Sequence, residues 1–378
     1  MTTLFLGFLP IVVAAVAGGA FGLQYRLMRR YTVENSSFLS VFIATVPIPL
    51  IACTWLLPGW TEAIARAGFA ANAQVFLFGF CWGLGAITYA FGFNILGMAL
   101  AASLLKGISI AIGSGLPLLR HWDQVPDSAR ITTVVGLATL ILGTALAGRA
   151  GMLREREARL RAEAGFIETS ATKAVLNPVG RVFWIGVLLC LVSGFASAGA
   201  NLGYDYADHI ERAMTEVAPG TPLEWRATLV RWMPMYWGGI SALTLLMGGA
   251  MVRNGTWRNF VAPGSARDCA ISVSMGLVHF LAQIPYGIGA FYLGTLGTTV
   301  GWGVNIGLAL IVATSLGFFT GEWNGASQAA KRTLYSGILV LIVAFGILAY
   351  AQSLAPENVP AAGEESVATG IPTPRDPR

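Results

Sequence analysis

GFCWGLGAITYAFGFNILG (residues 79–97) and GLVHFLAQIPYGIGAFYLG (residues 276–294) are two versions of one apolar helix. Laid on each other they match at Gly79/Gly276, Ile87/Ile284, Tyr89/Tyr286, Gly92/Gly289, Leu96/Leu293 and Gly97/Gly294. Each copy runs almost without a loop into a further apolar stretch. Weak internal similarity between two hydrophobic halves marks transporters built from repeats, with the substrate site where the repeats meet.

Composition agrees with a membrane setting. The chain has 378 residues, 55% hydrophobic and 11% charged, with a mean hydropathy of +0.65, whereas soluble domains carry about 25% charge. Apolar runs of bilayer-crossing length, about 20 residues, fall at 4–25, 37–57, 74–96, 98–119, 131–149, 182–205, 229–252, 269–293, 297–319 and 333–351. The fold class expected is an all-α polytopic membrane protein of ten transmembrane helices. Residues 1–149 form a first five-helix repeat, 150–181 a connecting loop, 182–352 a second repeat and 353–378 a disordered, proline-containing tail. Five is odd, so the second half enters from the opposite side and the repeat is inverted.

No Lys or Arg precedes Arg26, so the first segment reads as a membrane helix rather than a signal peptide. Cys53, Cys81, Cys190 and Cys269 have no metal-type spacing and read as small packing residues.

Basic residues of alternate connections are unequal: fifteen fall on one side and eight on the other, with Lys106 inside a helix. The positive-inside rule puts the richer side in the cytoplasm and both termini outside. The central run RAGMLREREARLRAEAG is basic, but its interleaved acids argue against nucleic acid and for a solvated linker. Glu155, Arg159 and Glu163 have the spacing for ion pairs on a short helix there.

Polar residues inside apolar runs are the candidates for function. Lys106 reads either as an interfacial lysine or as a charge lining a central cavity. Asp205, one helical turn after Asn201, is either solvated at a helix end or, if buried, a proton-coupling group. His279, Gln283 and Tyr286 share one face of the eighth segment, which Pro285 interrupts. Trp82, Thr88 and Tyr89 lie on the third segment, with Asn94 further along it; Trp302 and Asn305 lie on the ninth. Aromatic rings with a few amides and hydroxyls suit a neutral polyhydroxylated ligand, although rings also pack cores. His121, His209 and His279 form no metal motif, and no nucleophile elbow, P-loop or HExxH is present. No metal, cofactor or catalytic centre is expected.

FLFGFCWGLGAITYAFGFNILGMAL (76–100) resembles the third-to-fourth helix region of the bacterial L-rhamnose–proton symporter family, within the drug/metabolite transporter superfamily. GRAGMLRERE (148–157) resembles its central loop, SGFASAG (193–199) its sixth helix and GEWNGAS (321–327) its ninth-to-tenth loop. The similarity runs from the first helix to about Tyr350. It implies a ten-helix inner-membrane symporter that takes up L-rhamnose or a related deoxysugar with protons. Lys106, Asp205 and Asn94 depart from the family pattern, which has a small or apolar residue, a neutral amide and often a basic residue at those places. Export of metabolites or drugs is the alternative within transport, and an integral membrane enzyme the alternative outside it.

Overall fold

Glycine, proline and very short connections punctuate the chain, so helices follow one another with little coil between them. The computed structural model describes residues 2–96, 98–163, 181–219 and 224–355. Its α-helices are α1 (Thr2–Ala20), α2 (Val33–Thr45), α3 (Pro47–Leu56), α4 (Trp60–Ala67), α5 (Phe69–Leu96), α6 (Met98–Arg120) and α7 (Asp127–Glu163) in the first half. The second half contributes α8 (Arg181–Tyr206), α9 (Asp208–Val217), α10 (Trp232–Leu243), α11 (Gly249–Asn254), α12 (Ser265–Leu293), α13 (Gly297–Phe319) and α14 (Gln328–Leu354). Among the described residues no strand occurs.

Eight helical stretches are long and apolar enough to cross a membrane, and a ninth is added if α4 and Phe69–Gly85, bent by 103°, count as one span. The chain is therefore a multi-pass membrane protein. The longest stretch, Ser265–Phe319, contains both α12 and α13. Pro47 opens α3 in its first turn, where a missing N–H leaves nothing unpaired. Between α10 and α11 the helix widens into a π-turn over Thr244–Gly248.

Helix α7 does not stop at residue 149; it continues to Glu163. Residues 152–163 are almost all Leu, Arg, Glu and Ala, good helix formers that prolong an existing helix at no nucleation cost. The short helix expected around Glu155, Arg159 and Glu163 is the last part of α7. The rest of the central connection, 164–180, and most of the tail, 356–378, lie outside the described residues.

Packing rests on small residues, because lipid offers helices no hydrophobic drive to associate. Helix α1 lies on α12 and α13, and α8 lies on α5 and α6. Helix α2 packs on α12, α10 packs on α5, and α7 pairs with α14. Gly79 shows why a side chain is excluded: a Cβ there would collide with the main-chain oxygen of Met235 on α10.

The connections gather at two ends. At one, the Asp268 carboxylate accepts main-chain N–H groups of Arg29, Arg30 and Tyr31 at 2.9, 2.5 and 2.9 Å. At the same end, two segments from the resemblance dock together. Glu157 accepts from the Ser327 N–H at 2.8 Å and from its hydroxyl, while Arg154 meets Glu322 at 3.3 Å. The opposite end holds the last turns of α6, α8 and α12.

Candidate functional site

Helix α8 carries a continuous buried run, Ala198–Asp205, and α13 another, Gly297–Asn305. Both runs are dominated by small residues that let polar side chains come together between closely spaced backbones. Asn201 is fully buried and joins three neighbours. Its amide donates to Gly113 O on α6 at 2.6 Å and to Thr298 O on α13 at 2.8 Å. Its Oδ1 accepts the Tyr286 hydroxyl from α12. One amide thus ties α6, α8, α12 and α13.

One turn on, Asp205 is only 3% exposed, and the structure supplies its partners. Oδ1 accepts from the Thr298 hydroxyl at 2.7 Å and lies 3.2 Å from His121 Nε2. Oδ2 accepts from Arg120 at 3.0 Å. The same guanidinium reaches Asp205 O at 2.5 Å and Asp208 at 3.0 Å, and lies 4.4 Å over the Tyr206 ring. A buried carboxylate is tolerated only with such pairing, and removing one partner of a buried pair costs about 3–5 kcal/mol. Beside it Arg231 pairs with Glu211 and lies 5.1 Å over Tyr204.

Aromatic rings wall this tier. Tyr286 meets Trp302 edge-on at 5.4 Å between centroids, and Tyr204, Trp232 and Tyr236 continue the row. Trp302 lies against the bare backbone of Gly113 and donates to Ser109 O at 3.1 Å.

Two turns back along α12, about 10 Å, stands a second tier. Gln283 donates to His279 Nε2 at 3.0 Å. The His279 ring meets Phe21 at 5.3 Å and Trp82 at 5.7 Å. Gln283 Oε1, and on α13 Asn305 Oδ1 and Thr299 Oγ1, are buried without a hydrogen-bond partner among the described residues. Each such atom costs about 1–3 kcal/mol unless something else meets it.

The expected site residues therefore fall into groups. Tyr286, Trp302 and Asp205 join the tier of Asn201, whereas Trp82, His279 and Gln283 form the other. Thr88 spends its hydroxyl on Gly85 O at 3.1 Å within its own helix. Lys106 is half-buried on α6 and is not among the partners of Asp205. The side chains of Tyr89 and Asn94 lie outside the described residues. Arg120, His121 and Thr298 were legible from sequence only as loop charges and a small polar residue, because their partner is 84 to 93 positions away.

A sequence profile of the L-rhamnose-proton symport protein family matches residues 1–218. The chain belongs to this family. Similar full-length proteins bear the name L-rhamnose-proton symporter. The one from Pectobacterium atrosepticum is 22% identical over 356 residues, covering 89% of this chain and 94% of its own. The Cronobacter sakazakii protein is 23% identical, covering 91% and 96%, and that of Escherichia coli K12 is 21% identical, covering 89% and 95%.

Proposed function

We propose that the protein is a secondary active transporter that takes up L-rhamnose or a related deoxysugar together with protons by alternating access across a bacterial inner membrane. The observation that carries the reading is the Asn201–Asp205 face of α8, which links four helices beside aromatic walls, in a chain of the symporter family. Trp82, Gln283, Tyr286, Trp302 and Asn305 surround the sugar in this reading. Rings cover its C–H faces and the unpartnered amides take its hydroxyls.

The architecture in this proposal is ten passes: α1, α2–α3, α5, α6 and α7, then α8, α10–α11, α12, α13 and α14. Exchange of partners supports the inverted repeat, since α1 meets α12 and α13 as α8 meets α5 and α6. The Asp268 and Glu157 end is cytoplasmic, by the excess of basic residues there. A cysteine at Ala162 in a cysteine-free variant escapes impermeant thiol reagent in intact spheroplasts, while one at exposed Thr215 reacts; the reverse pattern overturns this orientation.

Asp205 is the proton-coupling group. Its protonation removes one of the two carboxylates that Arg120 holds and loosens the hold of α6 and α13 on α8. A proton and a sugar that both favour the loosened arrangement are thereby coupled, because each shifts the same equilibrium. The test is reconstitution in liposomes with an imposed pH gradient, acidic outside. L-rhamnose accumulates against its gradient, and a protonophore abolishes accumulation; uptake indifferent to the pH gradient refutes proton coupling.

A further inference from the structure

A cavity of about 320 Å³ opens at the Asp205 end, between the start of α1, the segment after α6, the ends of α8 and α12, and the start of α13. It is at the small end of ligand pockets, which begin near 300 Å³, and so admits one monosaccharide-sized molecule. Its polar lining includes Gln124, Asp205, Asp208, Glu211, Arg231 and Thr295. These three carboxylates are matched by three guanidiniums: Arg231 on Glu211, Arg120 on Asp205 and Asp208, and Arg212 on Asp208. An ion would find no uncompensated partner there. A neutral ligand with several hydroxyls would, because carboxylate oxygens keep lone pairs beyond those their partners use. Phe291 and Tyr292 line the same cavity and offer surface to C–H groups.

The floor is the informative part. Asp205 and Thr298 both line the cavity, and the 2.7 Å bond between them is one of those that hold α13 to α8. A ligand hydroxyl that donates to Asp205 and accepts from Thr298 replaces this bond with two of its own. Such a ligand binds the separated arrangement better than the joined one, which is the condition for shifting the equilibrium. We propose that this vestibule is a loading site for the transported sugar, distinct from the tier of Gln283 and His279, and that the sugar itself releases α13 from α8. The inference rests on the sugar-transport reading above.

The test uses the full chain without its native cysteines, retaining L-rhamnose uptake, with Thr295→Cys placed in the vestibule. Impermeant thiol reagent alkylates this cysteine, and L-rhamnose at ten times its Kd slows the reaction about tenfold. The same protection persists when Gln283→Ala is added, because the vestibule binds sugar by itself. Protection that vanishes with Gln283→Ala overturns the proposal and assigns the effect to a distant conformational change. Absence of protection in either background, or a cysteine that never reacts, overturns it as well. Failure of the wild-type protein to take up L-rhamnose is a separate result and strikes the sugar-transport reading itself.

Discussion

The two helices that share a sequence also share a packing role, yet they differ in chemistry. Gly79 of α5 lies against α10, and Gly276 of α12 lies against α2. Gly92 meets α8 near Cys190 and Gly186, while Gly289 meets α1 near Ile11 and Gly7. Gly186 in turn faces Leu96, as Gly7 faces Leu293. The contacts of one half are thus repeated by the other with partners exchanged. The faces are not repeated: where α5 has Trp82, α12 has His279, and the two rings touch. In the register set by Gly7 and Gly186, Tyr25-Arg26 falls on Tyr204-Asp205. In the proposed transport cycle, backbones that can exchange places give two comparable states, and unlike side chains make those states respond differently to proton and sugar.

The largest effect is expected where the halves are least alike. Asp205→Asn should permit sugar exchange across liposomes but abolish accumulation driven by a pH gradient. Normal accumulation in that variant would remove Asp205 from coupling and leave His279 and Lys106 as candidates. The same change takes one carboxylate from Arg120, which keeps Asp208 and the main-chain oxygen of residue 205, and should lower stability by about 1–3 kcal/mol, read as the unfolding midpoint in detergent.

Equivalent packing predicts equivalent damage. Gly79→Ala and Gly276→Ala should each destabilise by about 1–3 kcal/mol. The effect should be larger at Gly79, where the obstacle is backbone of α10, than at Gly276, where the Ile43 side chain can shift. Equal stability of Gly79→Ala and the parent would break the comparison at its base.

Substitutions in the unlike faces should sharpen it. Gln283→Ala and Trp302→Ala should each reduce kcat/KM for L-rhamnose about tenfold, or about 1.4 kcal/mol, with normal amounts of membrane protein. Unchanged uptake in both would leave them packing roles only. Thr88→Val, whose hydroxyl is satisfied within its own helix, should stay within about 0.5 kcal/mol of the parent in both stability and transport. A large loss of uptake there would mean that Thr88, and not only Trp82 of the same helix, touches the sugar.

Local patterns and composition were enough for the membrane class, the apolar stretches, the paired copies at 79–97 and 276–294, and the shared face of Asn201 and Asp205. Helical periodicity and hydropathy are properties of neighbouring residues, so a single chain displays them. Tertiary structure decided which partners the polar groups take. Asp205 at the end of α8 meets Arg120 and His121 at and just after the end of α6, whereas Lys106, fourteen residues earlier, stands about 21 Å back along that helix. The expected single cluster on α12 divides into two tiers because His279 and Tyr286 are two turns apart and face different neighbours. Likewise GRAGMLRERE and GEWNGAS dock through Glu157 and Ser327 only because α7 outlasts the membrane and lies along α14. Helix rotation and crossing are fixed by where bare glycine lets backbones approach, and that depends on two helices at once rather than on either sequence alone.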